Sequence, residues 1–371
     1  MMIIGIPKEV KTDEFRVGAT PSNVEQLVKD GHDVIIQKGA GEGSGFSDEA
    51  YLKAGAMLAE DASEVYGEAT LIVKVKEPQK SEYELLNEKH ILFCYLHLAP
   101  LAELTSVLMQ KRLCAIAYET VALGSELPLL KPMSEIAGKM SLTVAAHHLS
   151  RYQGGEGVLI SGALGVDAAN VLIIGAGNAG TGATEIAYGL GSNVTVINRS
   201  LPKLENLKKL FPNIRTELFS PAKLEELIKD VDVVIGTVLV HGGSSTPKLI
   251  TKEMLKSMKN GSVLVDITID QGGISECSHP TTHTNPVFVE EGVMHYCVAN
   301  MPGAYPKTAS MALTNATFPY IRKLANEGLG EALKNDASLR LGVNVFKGSL
   351  TNKAVAEIFN EQYTDIDALI Y

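Results

Sequence analysis

The run Ala169-Asn170-Val171-Leu172-Ile173-Ile174-Gly175-Ala176-Gly177-Asn178-Ala179-Gly180 constrains the fold more than any other stretch. In it a β-branched apolar segment passes without a break into G-x-G-x-x-G. In that spacing Gly175 permits a tight turn, Gly177 lets the backbone approach a pyrophosphate, and Gly180 allows a helix to pack closely on a strand. The helix N-terminus adds amide donors and the positive end of its dipole. Ala183, Ile186, Ala187 and Leu190 follow at helical spacing, which supplies the context the motif requires. A second strand, Val194-Thr195-Val196-Ile197, ends at Asn198, close to where a ribose-binding acid stands in such folds. The stretch reads as a dinucleotide-binding strand–turn–helix, with Gly175, Gly177, Asn178, Ala179 and Gly180 at the nucleotide.

A chain of 371 residues exceeds what one core usually serves, and 45% apolar residues suffice for two domains. The formal charge of −10, with basic residues scattered along the chain, argues against a nucleic-acid partner and for small molecules or protein. No apolar run reaches about 18 residues, and the start, Met1-Met2-Ile3-Ile4-Gly5-Ile6-Pro7-Lys8, lacks a basic segment leading into a long apolar one. The expectation is a cytoplasmic protein without a membrane span. Cys94, Cys114, Cys277 and Cys297 show no C-x-x-C spacing and are expected to be free thiols.

Along the chain, strands alternate with helices. Ile3–Ile6, Val34–Ile36, Leu71–Val75, Ile91–Tyr95 and Ala115–Tyr118 read as buried strands, separated by helical patterns over 21–31, 48–60, 61–68 and 101–110. A long helix is expected over 134–152. Strands at 171–174, 194–197, 231–235, 262–269 and 293–298 follow, and then a helix over 310–326, uncharged along its first half and expected to be buried. The alternation predicts an α/β protein of two doubly wound Rossmann-like domains joined by long helices, with the active-site cleft between them. The expected division is 1–131 with 306–371 as a discontinuous substrate domain, and 132–305 as the nucleotide domain.

In parallel sheets, ligands bind outside the carboxyl ends of the strands, so ionisable residues there merit attention. The planar fork of Arg16 suits a carboxylate, although a solvated loop arginine is the more common case. Lys76 could polarise a carbonyl, and its bland alternative is an exposed strand-end lysine. His97 is placed for acid–base work, against a satisfied core histidine. Asp266 and Asp270 share one face if 266–270 is a strand, as cleft-wall acids or turn caps. Cys277, His279 and His283 lie in a Thr-rich loop without an evident fourth ligand, and no metal is expected there. His147-His148, inside the long helix, reads as packed or solvated.

With these motifs in place, the whole chain resembles bacterial L-alanine dehydrogenases. Glu14-Phe15-Arg16-Val17, Lys74-Val75-Lys76-Glu77-Pro78, Leu96-His97-Leu98-Ala99, Pro132-Met133-Ser134-Glu135, Gly175-Ala176-Gly177, Asp266 through Gly273 and Val298-Ala299-Asn300-Met301-Pro302 stand in family order. The resemblance implies reversible NAD-dependent conversion of L-alanine and water to pyruvate and ammonium, in a homo-oligomer, a hexamer. It assigns Arg16 to the substrate carboxylate, Lys76 to the carbonyl oxygen or amino group, and His97 with Asp270 to acid–base catalysis. It assigns Ser134, Lys203, Ser220, Val238, Leu239, the segment from Ile267 to Asp270, and Val298, Asn300 and Met301 within 298–301 to the cofactor. Hydride leaves the α-carbon as an iminium forms, and water adds before ammonia departs. Protons therefore move on and off nitrogen and oxygen repeatedly, work suited to one imidazole.

Three departures from the family pattern stand out. Asn198 replaces an aspartate, His279 an arginine associated with the cofactor, and Lys323 with Glu327 a glutamate–histidine metal pair. No metal is carried over. Asn198 and Arg199 also leave room for use of NADP. The competing reading is a nucleotide-binding component of proton-translocating transhydrogenase. That family carries an Ala-Glu-Asn-type run where this chain has Ile269-Asp270-Gln271, and it does not need the arginine–lysine–histidine set.

Overall fold

A computed structural model describes residues 1–238 and 246–370. The chain divides into two compact units, Met1–Pro132 with Tyr305–Tyr371, and Met133–Ala304. Each is built on one parallel-dominated sheet.

In the first unit, β1 (Ile3–Ile6), β2 (Asp33–Gln37), β3 (Met57–Ala59), β4 (Leu71–Val73), β5 (Ile91–Cys94) and β6 (Cys114–Ala117) pair in parallel in the order β3-β2-β1-β4-β5-β6. The central strands β1, β4, β5 and β6 are short and without charged or polar side chains because both faces are covered. Gly5 in β1 has to be small, since a Cβ there would stand 2.6 Å from Ala69 Cβ and 2.8 Å from Val65 Cγ1 of the helix region beside it. The first helix, Pro21–Lys29, starts at a reciprocal cap in which Thr20 and Asn23 bond each other's backbone amides. Two carboxyl-terminal strands, Val343–Phe346 and Ser349–Leu350, extend the sheet beyond β6, each antiparallel to its neighbour.

In the second unit, β7 (Asn170–Ile174), β8 (Asn193–Asn198), β9 (Arg215–Leu218), β10 (Val233–Gly236), β11 (Val263–Asp266), β12 (Val287–Glu290) and β13 (Val293–Tyr296) give the order β12-β13-β11-β10-β7-β8-β9. All pairs are parallel except β12 with β13. Alternate residues of the same strands feed two cores. Val171, Ile173, Val233, Ile235, Val263 and Val265 pack with Leu142, Ala183 and Ala187 on one face, while Leu172, Ile174, Val234 and Leu264 pack with Leu224 and Leu255 on the other. In both sheets the strand order reverses beside the first strand, at β1/β4 and at β7/β10. These are the switch points where α/β sheets open toward ligands.

Several expected elements are corrected. The helix expected over 48–60 covers only Asp48–Lys53, because the chain then enters the edge strand β3. The expected strand through Asp266–Asp270 stops at Asp266, followed by a 3₁₀ turn at Ile269–Gln271, so the period-two facing of the two aspartates does not exist. The long helix is Lys131–His148, and a 3₁₀ turn follows at Arg151–Gln153. The helix expected over 310–326 runs Pro306–Asn335 with a break at Gly328. Only one face of its uncharged start is buried, through Ala309, Ser310, Leu313, Thr314 and Thr317, while Met311 is exposed. β9, β12 and the two carboxyl-terminal strands were not anticipated. Among the described residues no helix is long and apolar enough to cross a membrane, and all four cysteines are free.

Candidate active site

Charged residues of the first unit gather where its parallel strands end. Arg16, in the loop after β1, is buried, and its Nε and Nη2 donate to the two carboxylate oxygens of Glu14 at 2.7 and 2.6 Å. Burial alone would raise the Glu14 carboxyl, yet the hydrogen bonds and charge of Arg16 hold it down at about 2. Burial likewise opposes the guanidinium charge, and Glu14 outweighs it, leaving Arg16 above its ordinary value. The fork is thus fixed in orientation with one edge committed to Glu14.

Lys76, beyond the end of β4, is buried, with its ammonium 6.0 Å from the centre of the Tyr95 ring. The same ring stacks on His97 with centroids 5.7 Å apart and planes 14° off parallel, while the Tyr95 hydroxyl donates to Leu129 O at 2.6 Å. His97 follows β5 with φ +46°, a left-handed backbone uncommon outside glycine. Burial, reinforced by the charges of Lys76, Lys11 and Arg16, holds its imidazole well below the usual histidine range. It is therefore neutral at pH 7 and able to accept a proton. The structure brings Arg16, Lys76 and His97 together around Tyr95.

Beneath this group, Glu9 beyond β1 accepts from the amides of Val75 at 2.6 Å and Lys76 at 3.4 Å. Lys74 Nζ stands 3.3 Å from Glu9 and 2.8 Å from Glu82, which also accepts from the Tyr66 hydroxyl. Burial pushes Glu9 up to about 7 despite the opposing charge of Lys74. Glu119, beyond β6, accepts from the amides of Leu96 and His97. Glu9, Glu14, Tyr95 and Glu119 were missed as site residues. Their signal was present, since each stands within three residues of a strand end or of an expected site residue.

In the second unit the glycine turn leaves β7 with Gly175 at φ +112°, where a Cβ would lie 2.5 Å from Thr237 Oγ1. A Cβ on Gly180 would lie 2.1 Å from Gly175 O, so the helix Asn178–Gly189 packs directly on the turn. On Gly177 a Cβ would meet nothing within 4 Å, which leaves its backbone face open. An open glycine face at the N-terminus of a 12-residue helix fits a pyrophosphate.

Most of the sequence-predicted cofactor residues follow strand ends of this sheet. Asn198 closes β8, donates its amide to Ser200 O at 3.2 Å, and is partly buried. The Arg199 guanidinium lies over the Phe219 ring, 5.4 Å from its centre. The Ser220 hydroxyl accepts from Lys223 N at 3.1 Å and so caps the helix Pro221–Leu227. Val238 packs against the core, and Leu239 lies outside the described residues. Val298 and Met301 are core side chains, so only their backbone can meet a ligand, and Asn300 between them has φ +63°. Ser134 is on the helix Lys131–His148 and Lys203 is exposed on the helix Leu201–Leu210.

Asp266 is fully buried and accepts from Thr268 N, Thr268 Oγ1, Ile274 N and Ser278 Oγ at 2.6–3.1 Å. It therefore organises the loop that carries Ile267 and Asp270, and Asp270 is exposed. His279 stacks on Phe288 at 3.7 Å, while His283 Nε2 stands 3.4 Å from Asn300 O. Lys323 pairs with Glu327 at 3.3 Å.

Comparison with known proteins agrees over the full length. Residues 5–137 match the family model "Alanine dehydrogenase/PNT, N-terminal domain", and residues 141–353 match its C-terminal domain. The chain is 49% identical over 369 residues to an alanine dehydrogenase of Staphylococcus epidermidis, covering 99% of each. It is 49% identical over 371 residues to that of Halomonas elongata, covering 100% of each. A solved L-alanine dehydrogenase superposes with TM-score 0.93 at 46% identity, over 97% of this chain and 99% of that one. A transhydrogenase from Sinorhizobium meliloti superposes with TM-score 0.80 at 25% identity, over 95% of this chain and 99% of that one. Two Rossmann-like units, a glycine turn fit for a dinucleotide and an arginine–lysine–histidine cluster at strand ends thus accompany that likeness, and the chain belongs to the alanine dehydrogenase/PNT family.

Proposed function

We propose that this protein is an L-alanine dehydrogenase, interconverting L-alanine plus water with pyruvate plus ammonium at the expense of a nicotinamide cofactor. The observation that carries this reading is the cluster of Arg16, Lys76 and a neutral His97 around Tyr95. It suits a small 2-oxo acid. Arg16, anchored by Glu14, takes the substrate carboxylate and so fixes which face of the α-carbon is presented. Lys76 sits against the carbonyl oxygen or amino group. His97 accepts and returns protons as nitrogen and oxygen exchange on that carbon. Asp270 is the second acid–base group and offsets positive charge developing on the iminium. When bound, the nicotinamide supplies the hydride chemistry.

For the cofactor we assign Gly175, Gly177, Asn178, Ala179 and Gly180 to the pyrophosphate, and Asn198 with Lys203 to the adenosine side. Ser134, Ser220, Val238, Leu239, Ile267, Asp270, Val298, Asn300 and Met301 complete the set. NAD is the main cofactor, with NADP also used, because Asn198 brings no negative charge against a 2′-phosphate and Arg199 stands beside it. The protein is a cytoplasmic homo-oligomer, a hexamer, a reading supported by the free cysteines and by the exposed Tyr152, Leu159, Leu164 and Val166. Light scattering of the purified protein tests the hexamer. Oxidation of NADH or NADPH, followed at 340 nm with pyruvate plus ammonium, tests the activity. Transfer of hydride between two nucleotides without an amino acid would instead favour the transhydrogenase relatives.

A further inference from the structure

We infer that Glu119 is a positioning residue for His97, clamping the backbone of the acid–base histidine in the left-handed conformation from which its imidazole works. The inference rests on the assignment of His97 made above and adds a residue to it. Glu119 Oε1 accepts from His97 N at 2.7 Å, and the Leu96 amide donates to both carboxylate oxygens at 3.2 Å. One side chain therefore satisfies two consecutive amides that the end of β5 leaves without ladder partners. A histidine at φ +46° is held there against its own preference, since the contact between Cβ and the following carbonyl oxygen costs roughly 1 kcal/mol or more. Three charge-assisted bonds that fix the peptide plane on the N-terminal side of that φ are suited to oppose this cost.

The carboxylate reaches His97 from the neighbouring strand. Glu119 stands in the 3₁₀ turn Tyr118–Thr120 directly after β6, which pairs with β5 in the register Cys94 to Ala117. Its hold is on the main chain, and the imidazole is separately stacked on Tyr95. Burial raises the Glu119 carboxyl, while the amides of His97 and Leu96 oppose that rise, as expected of a carboxylate whose partners are fixed dipoles. Glu119 also faces the charge of Lys76, so the KM for pyruvate separates an effect through Lys76 from one through His97.

A double-mutant cycle on the full-length enzyme tests this, with kcat for pyruvate amination, the KM for pyruvate and the cofactor Kd as readouts. Glu119→Gln removes the charge and leaves one acceptor oxygen for the two amides, with its NH₂ turned against the Leu96 N–H. We expect kcat to fall about 10–100-fold, with the KM for pyruvate and the cofactor Kd staying within about twofold. In the His97→Ala background the same substitution should change the residual kcat by less than about twofold. Equal losses in both backgrounds, or full kcat in Glu119→Gln beside a dead His97→Ala, would overturn the inference. Full activity of His97→Ala would instead overturn the role of His97 itself. Should Glu119→Gln not fold, Glu119→Asp keeps the charge with a shorter reach. An intermediate kcat with an unmoved KM supports the clamp, and wild-type kcat overturns it.

Discussion

The Glu14 carboxylate grips Arg16 along one edge, with both side chains buried and the two bonds at 2.7 and 2.6 Å. A lysine could keep the charge but could not present a planar edge to Glu14 and a second group to substrate at once. Arg16→Lys should therefore raise the KM for pyruvate and for alanine by about 10–100-fold, the equivalent of one charged hydrogen bond of roughly 1.5–3 kcal/mol. Initial-rate kinetics check it, and unchanged substrate constants would return Arg16 to a structural role.

His97→Ala and Asp270→Asn should each lower turnover by about 10²–10⁴-fold while cofactor binding persists. The depressed imidazole sets the pH behaviour. His97 stays neutral until pH falls below the usual histidine range, so the acid limb assigned to it lies below 6.5. A pH profile of kcat/KM with its acid limb above 7 would contradict this.

Asn198→Asp should selectively weaken NADP. A carboxylate facing a 2′-phosphate meets a like charge worth about 1 kcal/mol at 4 Å even in water, so the NADP Kd should rise about fivefold or more while that for NAD holds or improves. Fluorescence titrations of both cofactors against both proteins give the ratio. An unchanged ratio removes Asn198 from the selectivity of the site.

Glu9 and Glu14 make opposite contributions to stability against pH. Glu14, held at about 2 against an ordinary 4.5, contributes stability present above pH 4.5 and lost as pH falls toward 2. Glu9, raised from 4.5 to about 7, keeps a proton that the unfolded chain has released, so its term falls as pH rises from 4.5 to 7. Denaturant titrations of Glu9→Gln between pH 4.5 and 7 should show a weaker decline than wild type. Identical slopes would refute the assignment.

Gly180→Ala places a Cβ 2.1 Å from Gly175 O, a backbone atom held in the turn itself. The helix must shift, at a cost of roughly 1–3 kcal/mol, and the pyrophosphate site shifts with it. Cofactor Kd should rise at least tenfold. Gly177→Ala, whose Cβ meets no protein atom, should leave stability near wild type while still weakening the cofactor. Calorimetry and cofactor titration of the pair separate packing from ligand contact.

The glycine turn, the two-domain α/β alternation and Arg16, Lys76 and His97 as candidates were legible because each is a local signal. Apolar runs, glycine spacing and an ion at a strand end are written within about ten consecutive residues. The edge strands Met57–Ala59 and Val287–Glu290 were not legible. They are three or four residues long and only partly buried, so no sustained period-two pattern marks them. Asp266 stood among the candidates as a cleft-wall acid or a turn cap, and the structure makes it the cap. The buried carboxylate, not strand periodicity, decides the local backbone, because four donors from 268–278 fold back onto it.

The sequence by itself determined which segments are strands at the centre of each sheet and that a tight glycine turn leads from β7 into a helix, since backbone sterics and burial act residue by residue. Tertiary structure alone decided that Glu119 holds His97 from 22 residues away and that Glu9 reaches Val75 across 66. It also decided that Phe346 pairs with Cys114 at the far side of the first sheet. Those partnerships follow from strand order. In a parallel sheet every strand ends on the same side, so residues distant in sequence meet there, and local periodicity carries no record of which strands are neighbours.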